Sequence, residues 1–297
     1  MSFREKWLAA VERSNSVLCA GLDPAEFEMG RGGKGLPEGV NKRDWALGYV
    51  EAVAPFCAAV KPNFQYWKDS GDVETLRTIY DFARGSGLVV IDDSKLADIG
   101  STNDAGIFYA THRADAVTFS PFAGNLEEAA KQAHARGIGL ISMVLMSNPE
   151  FDREKNKLVK ITDPGWRNQD VQEMMATAFS PAKRKLFVPQ YLQLARDAQD
   201  FGVDGVVIGA PSAKNHIRKE EIAAVRHYYD GLVLLPGVGA QGGEAGAIWK
   251  YFGRDDVIVN VARDLMLPKG SNSSNEEQAE TAKRYQMRLN RLRAARD

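Results

Sequence analysis

The chain is organised around short apolar runs, each followed by a stretch with helical periodicity. Eight such runs occur, and uninterrupted apolar runs are typical of parallel strands that are buried on both faces. Eight strands alternating with helices favour an α/β fold that closes into a single (β/α)8 TIM barrel over an open, doubly wound sheet. The predicted strands cover residues 16–23, 58–63, 88–91, 116–119, 138–146, 204–208, 232–235 and 257–261.

The spacing of the runs predicts one barrel domain over residues 1–297 with two additions. The interval between the fifth and sixth runs is longer than the others, which predicts an insertion at about residues 147–188. An insertion at this position lies on the catalytic face of a barrel, where a lid, a surface excursion and an oligomer contact are all compatible with its charged sequence. A Lys/Arg-rich helical pattern at about residues 276–296 predicts a solvated closing helix.

The composition narrows the class of partner. The formal net charge is −1, with 44% hydrophobic and 26% charged residues, which is ordinary for a globular protein and gives no reason to expect a nucleic-acid or membrane partner. Cys19 and Cys57 lie in apolar segments without metal-ligand spacing, so we expect buried thiols in a reducing compartment. The charged N-terminus lacks the apolar segment of a signal peptide, and we expect a cytoplasmic protein.

Charge is concentrated directly behind the third predicted strand. Asp92, Asp93, Lys95 and Asp98 follow the apolar run 88–91 within seven residues. On an extended backbone Asp93 and Lys95 point to the same side, about 6 to 7 Å apart. A pair at that distance is worth only ~2.5 kcal/mol at an effective dielectric of 20, so a functional site explains the placement better than stability does. Asp92 points to the opposite side, and we expect it to be structural.

Side chains at the carboxyl ends of barrel strands converge on one mouth. The predicted mouth contains no histidine, so a histidine metal site and a Ser/His/Asp triad are both poorly supported. It is instead rich in charges of both signs, and its residues are Asp23, Lys61, Asp93, Lys95, Asp98, Ser147, Gln241 and Arg263.

A glycine-rich turn follows the seventh predicted strand. Glycine-rich turns expose backbone N–H groups that bind anions, and a helix predicted to begin near Glu244 would add the positive end of its dipole. Arg263, just after the eighth strand, can add a bidentate contact. The sequence 236–243, PGVGAQGG, therefore predicts a phosphate site with Gln241 and Gly242 in its loop, although the pattern alone also fits a plain tight turn.

Together these motifs resemble the orotidine 5'-phosphate decarboxylase family. The DxKxxD signature of that family is present as residues 93–98, DSKLAD, and its phosphate loop as residues 236–243. Asp23 in GLDP, Lys61 in VKPN and Ser147 in MSNP also match, so the resemblance extends over the whole barrel. The segments KPNFQYW and NVARD resemble the longer bacterial branch of the family.

The resemblance implies decarboxylation of orotidine 5'-phosphate to UMP in pyrimidine synthesis, by a homodimer that needs no metal or organic cofactor. Lys95 would protonate C6 and Asp93 would lie against the substrate carboxylate. Asp23 and Lys61 would bind ribose, Ser147 would contact the pyrimidine, and Gln241, Gly242 and Arg263 would grip the phosphate. Asp98 and Thr102 would reach into the site of the partner subunit.

Three alternatives on the same fold remain open. A Schiff-base aldolase needs a neutral lysine, which the acids around Lys95 oppose. A Mg-dependent sugar-phosphate decarboxylase or synthase shares DxKxxD but carries a metal-binding glutamate where this chain has Lys61. A non-catalytic barrel that binds a phosphorylated ligand would need Arg263 but not a lysine among acids.

Overall fold

The computed structural model describes residues 1–160, 187–239 and 242–295. Within them, eight parallel strands form a closed barrel in the order β1-β2-β3-β4-β5-β8-β9-β10, as predicted. β6 and β7 pair separately as an antiparallel ribbon outside the barrel. The strands are β1 Leu18–Leu22, β2 Ala59–Pro62, β3 Val89–Leu96, β4 Ala116–Phe119, β5 Gly139–Leu145, β6 Leu158–Lys160, β7 Phe187–Pro189, β8 Gly205–Ile208, β9 Leu232–Pro236 and β10 Val257–Val261.

Helices follow the barrel strands and pack on their outer faces. Most of the helical stretches predicted after the strands are present as α-helices, whose ends are set by capping contacts that periodicity does not show. In the described part of the chain they are α1 Phe3–Ser14, α2 Lys42–Val53, α3 Asp72–Gly85, α4 Gly100–Thr111, α5 Leu126–Ala135, α6 Phe151–Lys155, α7 Gln190–Asp200, α8 Lys219–Tyr228, α9 Arg263–Met266 and α10 Asn275–Ala294.

Capping boxes begin the first and last helices. Ser2 accepts a hydrogen bond from the Glu5 N–H while the Glu5 side chain accepts from the Ser2 N–H, and Ser274 and Glu277 form the same pair at α10. Each box satisfies two N–H groups that a helix start otherwise leaves unpaired. α10 then packs on α2, where Gly48 leaves room for the Asn275 side chain. This helix lies at the position of the predicted closing helix.

β3 is longer than its apolar sequence indicates. The apolar run ends at Ile91, but the strand continues through the charged residues to Leu96. Its pairing with β4 shifts in between, since Asp92 lies opposite Val117 and Leu96 opposite Phe119. The β-bulge places the charged motif on the strand itself rather than in the loop after it.

The predicted insertion at 147–188 is described only in part, because residues 161–186 lie outside the described ranges. Its first part contains α6 and β6, and β7 follows as its last part. α6 is fixed to the barrel by Lys155, which is 1% exposed and donates to Glu221 Oε1 at 2.7 Å and to the His216 carbonyl at 2.8 Å. The function of the segment stays a prediction.

Cys19 and Cys57 are both buried free thiols, as predicted. Burial in the apolar wall of the barrel raises the pKa of Cys19 to about 12. No helix in the described ranges is both long enough and apolar enough to cross a membrane.

We predict that the buried pair Lys155–Glu221 is asymmetric in its response to substitution. Glu221→Gln should lower the free energy of unfolding by about 3–5 kcal/mol, because the largely exposed Asp152 carboxylate, 3.4 Å away, is then the remaining counter-charge of the buried Lys155. The double variant Lys155→Met/Glu221→Gln should lose less stability than Glu221→Gln does. Urea unfolding monitored by circular dichroism measures both.

Lys157→Met is the matched control, because Lys157 pairs with Glu154 on the exposed surface and should change stability by less than about 0.5 kcal/mol. A double variant that is less stable than Glu221→Gln would contradict the explanation.

Candidate active site

A cavity of about 270 Å³ opens at the carboxyl ends of the barrel strands. Its wall contains residues from the ends of β1, β2, β3, β9 and β10 and from the loops that follow them. Five of the predicted mouth residues meet there, namely Asp23, Lys61, Asp93, Lys95 and Arg263. The fold thus brings together side chains from opposite ends of the sequence, as expected for a barrel mouth.

Asp93 is the centre of the polar contacts in this cavity. Its carboxylate forms a close ion pair with Lys61, which is also buried, through Oδ2. Oδ1 receives Lys95 Nζ at 2.6 Å and a hydrogen bond from the Thr118 hydroxyl at 2.9 Å. One carboxylate is therefore held by groups from three adjacent strands, β2, β3 and β4.

Asp93 and Lys61 each stabilise the charged form of the other. Burial alone would raise the pKa of Asp93, but Lys61 and then Lys95 outweigh it and lower that pKa to about 2. Burial would likewise lower the pKa of Lys61, and the carboxylates of Asp93 and Asp23 outweigh it and leave that pKa raised. Asp93 and Lys61 are therefore both charged at neutral pH.

Lys95 has an unusual backbone conformation. Its φ is +51°, in the left-handed region that non-glycine residues seldom occupy. The conformation is fixed from both sides: the Lys95 N–H donates to Thr118 Oγ1 at 2.9 Å, and the Ser94 hydroxyl donates to the buried carboxylate of Asp92. Strain of this kind persists where surrounding contacts impose it, often at functional sites. Thr118 links Lys95 to Asp93 through one hydroxyl.

Asp23 differs from Asp93 because fewer contacts offset the burial of its carboxylate charge. Its Oδ1 atom is buried and has no hydrogen-bond partner among the described residues. Burial raises the pKa of Asp23 and the Asp93 charge adds to the rise, while Lys61 opposes it. Its free oxygen can accept a hydrogen bond from a ligand hydroxyl.

The glycine-rich loop after β9 forms the opposite wall. Gly237, with φ +94°, and Gly239 line the cavity. A Cβ at Gly243 would lie 2.7 Å from the Gly237 carbonyl oxygen, so the close return of the loop requires glycine. The predicted contact residue Gly242 is exposed and its N–H donates to the Gly239 carbonyl at 2.7 Å, while Gln241 lies outside the described residues.

The prediction that a helix with an aligned dipole begins near Glu244 is wrong. Residues Ala245–Lys250 form a short 3-10 helix with Glu244 as its N-cap, which lacks the aligned dipoles of a long α-helix. The cation on this side is Arg263, the exposed first residue of α9, which has no carboxylate partner among the described residues.

Four of the predicted site residues that the structure describes lie outside the cavity wall, namely Asp98, Thr102, Ser147 and Gly242. Asp98 and Thr102 are exposed at the start of α4, where the Asp98 carboxylate accepts from the Ile99 N–H at 2.8 Å and forms no ion pair with any described cation. Ser147 is half-buried after β5, beside Gly209.

Sequence reasoning missed five polar residues that line the cavity: Arg31, Lys34, Asn63, Tyr66 and Asn260. Asn63 was visible as the last residue of VKPN, two positions beyond Lys61. Arg31 and Lys34 lie in the glycine-rich loop after β1, at positions that no sequence motif marks. The described residues contain no cluster of three or more His, Cys, Asp or Glu side chains arranged to bind a metal.

We predict that Asp23→Asn makes the protein more stable at neutral pH. Because the folded-state pKa of Asp23 is raised, its ionisation costs stability above that pKa, and the cost disappears below the unfolded value of about 3.9. Urea unfolding should therefore give Asp23→Asn an advantage at pH 7 that shrinks as the pH approaches about 4. The exposed Asp81→Asn is the control and should show neither effect. Equal or lower stability of Asp23→Asn at pH 7 would contradict the assignment.

The site can now be compared with known proteins. Residues 16–263 match the model of the Orotidine 5'-phosphate decarboxylase / HUMPS family. The chain is 30% identical to an orotidine 5'-phosphate decarboxylase of Halobacterium salinarum over 99% of its length and 100% of that protein. It is 31% identical to an enzyme of the same name from Methylibium petroleiphilum, over 90% of each chain.

A solved structure of an enzyme with the same name shares the fold. The structure of the Leishmania donovani OMP decarboxylase superposes with a TM-score of 0.71 at 20% identity, covering 99% of both chains. The match of the family model covers most of the chain, including the cavity residues from Asp23 to Arg263. The chain is a member of the orotidine 5'-phosphate decarboxylase / HUMPS family.

Proposed function

We propose that the protein is a carboxy-lyase that converts orotidine 5'-phosphate to UMP and CO2 in pyrimidine biosynthesis, without a metal or organic cofactor. The observation that carries this is the array Lys61–Asp93–Lys95, held in a cavity whose opposite wall is a glycine-rich loop with Arg263. Curated relatives of at least 30% identity that bear the decarboxylase name support this branch of the family over the sugar-phosphate branch.

The geometry suits a direct decarboxylation. With orotidylate bound, its carboxylate would lie against Asp93, and repulsion between the two anions is relieved when the bond from C6 to the carboxylate breaks. CO2 leaves, the electron pair stays on C6, and a proton from the Lys95 ammonium neutralises it. The cation is already fixed near Asp93 before charge develops, which is the arrangement that stabilises a transition state without reorganisation.

The far wall would bind the phosphate. The loop at Gly237 and Gly239 together with Arg263 offers backbone and guanidinium donors to a dianion. Binding energy from this remote group can be used to hold C6 against Lys95. Gln241 and Gly242 would add contacts to the same group, and Ser147 would contact the pyrimidine.

The near wall would bind the ribose. Asp23 has a buried oxygen without a described partner, which suits a ribose hydroxyl as donor. Lys61 holds the charge of Asp93 and supports the same subsite. A lysine at the end of β2 also supports metal independence, since an ammonium cannot coordinate Mg²⁺.

We propose a homodimer with active sites shared between protomers. Asp98 and Thr102 are exposed, and apolar side chains near them are exposed as well: Ile99 is 65% and Tyr109 58% accessible. Burying this surface against a second copy would remove apolar area from water and carry Asp98 and Thr102 toward the partner's cavity. Each chain would contribute one barrel domain, residues 1–297.

The ligands of the enzyme are orotidine 5'-phosphate and UMP, with no nucleic-acid or membrane partner, and it works in the cytoplasm. The near-zero formal net charge of −1 supports the absence of a polyanionic partner.

The proposal predicts that protein treated with EDTA converts orotidylate to UMP, followed as loss of the ultraviolet absorbance of the substrate. Lys95→Ala should reduce kcat by at least about 10³-fold, since it removes both the proton donor and the pre-placed cation. Binding of UMP, measured by calorimetry, should change little.

Lys131→Ala, at an exposed position on α5, is the control and should retain full activity. Activity that appears only after Mg²⁺ is added would favour the sugar-phosphate branch, and tight UMP binding without turnover would favour a non-catalytic binding barrel. A Lys95→Ala variant with near-normal kcat would refute the proton-donor assignment.

Subunit mixing tests the shared site. Lys95→Ala and Asp98→Ala chains should each be nearly inactive alone. After denaturation and refolding together, random pairing gives heterodimers with one intact site, so about a quarter of wild-type activity should return. Confirmed heterodimers that remain inactive would show that Asp98 acts within its own chain.

A further inference from the structure

The loop between β1 and α2 brings two extra cations to the cavity. We define the β1 loop as residues 26–35; it carries Arg31 and Lys34, which line the same cavity as Gly237, Gly239 and Arg263. We propose that the β1 loop is a second cationic wall of the phosphate subsite, with Arg31 and Lys34 contacting the phosphate of the nucleotide. This inference rests on the proposed function and adds to it residues from the loop after β1, the strand that pairs with β10.

Arg31 is held in place by Tyr66. The guanidinium donates from Nη1 to the Tyr66 hydroxyl at 2.8 Å and its carbon lies 5.4 Å from the centroid of the ring. Tyr66 lies just after β2, whose Lys61 is part of the charged array. The contact with Tyr66 uses one of the five N–H donors of Arg31 and leaves others for a ligand.

The base of the β1 loop is fixed on the barrel. The Leu36 N–H donates to the Ala25 carbonyl at 2.7 Å, and both of these residues are buried. Lys42 of α2 bonds Glu26 at 2.5 Å and Asp72 at 2.7 Å. A loop closed at its base limits where its cations can go, so they remain beside the mouth.

The tip of the loop also contacts the segment between α9 and α10. The Ser271 hydroxyl donates to the Gly32 carbonyl at 3.4 Å, near the end of the segment between α9 and α10. Gly30 and Gly32 have φ of +66° and +56°, conformations that glycine allows without strain. The contact and the two glycines therefore define the backbone conformation on either side of Arg31.

The charge of the wall also points to an anion. Five cationic side chains and two carboxylates line the cavity. Lys61 and Lys95 are matched to Asp93, but Arg31, Lys34 and Arg263 form no ion pair within the described residues. Like charges gathered without counter-charge repel one another. A phosphate dianion, with three terminal oxygens that accept from several directions, would neutralise them.

Comparing orotidylate with orotidine tests whether Arg31 and Lys34 act on the phosphate or on the rest of the substrate. Arg31→Met and Arg31→Met/Lys34→Met should lower kcat/KM for orotidylate by roughly ten- to hundred-fold, the value of one or more charge-assisted hydrogen bonds. For orotidine, the nucleoside without phosphate, kcat/KM should not change. Arg77→Met, at an exposed arginine of α3 that pairs with Glu74, should leave both values unchanged.

Equal losses with both substrates, or no loss with orotidylate, would overturn the proposal. Binding of inorganic phosphate tests it without any turnover, so a wild-type protein that fails to decarboxylate orotidylate would refute the proposed function alone. Phosphate should raise the midpoint of thermal unfolding of the wild type and of Arg77→Met, and raise it less for Arg31→Met/Lys34→Met. The same rise in all three proteins, or none in the wild type, would also overturn the proposal.

Discussion

The site depends on one buried carboxylate with two lysines on it. An isolated ionised carboxylate in the barrel interior would be strongly destabilising, and Asp93 is tolerated because Lys61 and Lys95 share its charge. The three residues are on adjacent strands, β2 and β3, so their contact exists only when the sheet has formed. Thr118 on β4 completes the arrangement by donating to the same carboxylate. Assembly of these charges therefore requires β2, β3 and β4 to lie side by side.

The register break between β3 and β4 follows from the same requirement. A regular strand would alternate the directions of Asp93, Ser94 and Lys95 and keep their backbone extended. The bulge and the left-handed conformation of Lys95 turn its ammonium back to within 2.6 Å of Asp93. The backbone strain is offset by Thr118 and by the Ser94 contact with Asp92, which gives Asp92 the structural role expected for it.

Parts of the mouth are arranged for a ligand at a cost to stability. Asp23 keeps a buried oxygen without a described partner, and Arg31, Lys34 and Arg263 have no counter-charge among the described residues. The buried charge of Lys155, which lies outside the cavity, is by contrast matched to Glu221 and to a carbonyl oxygen. Proteins commonly accept unmatched polar groups where a ligand completes them. The contrast supports a nucleotide with an anionic end as the missing partner.

The sequence by itself determined the barrel and most of the charged mouth. Apolar runs buried on both faces specify strands, and strand ends in a closed barrel must meet, which placed Asp23, Lys61, Asp93, Lys95 and Arg263 together. Only the tertiary structure decided the two contacts of the Thr118 hydroxyl and the left-handed backbone conformation at Lys95. It also decided the separation of Asp98 from the cavity and the contact of Arg31 with Tyr66. These depend on distances between residues far apart in the chain or on local backbone twist, and neither periodicity nor motif spacing contains that information.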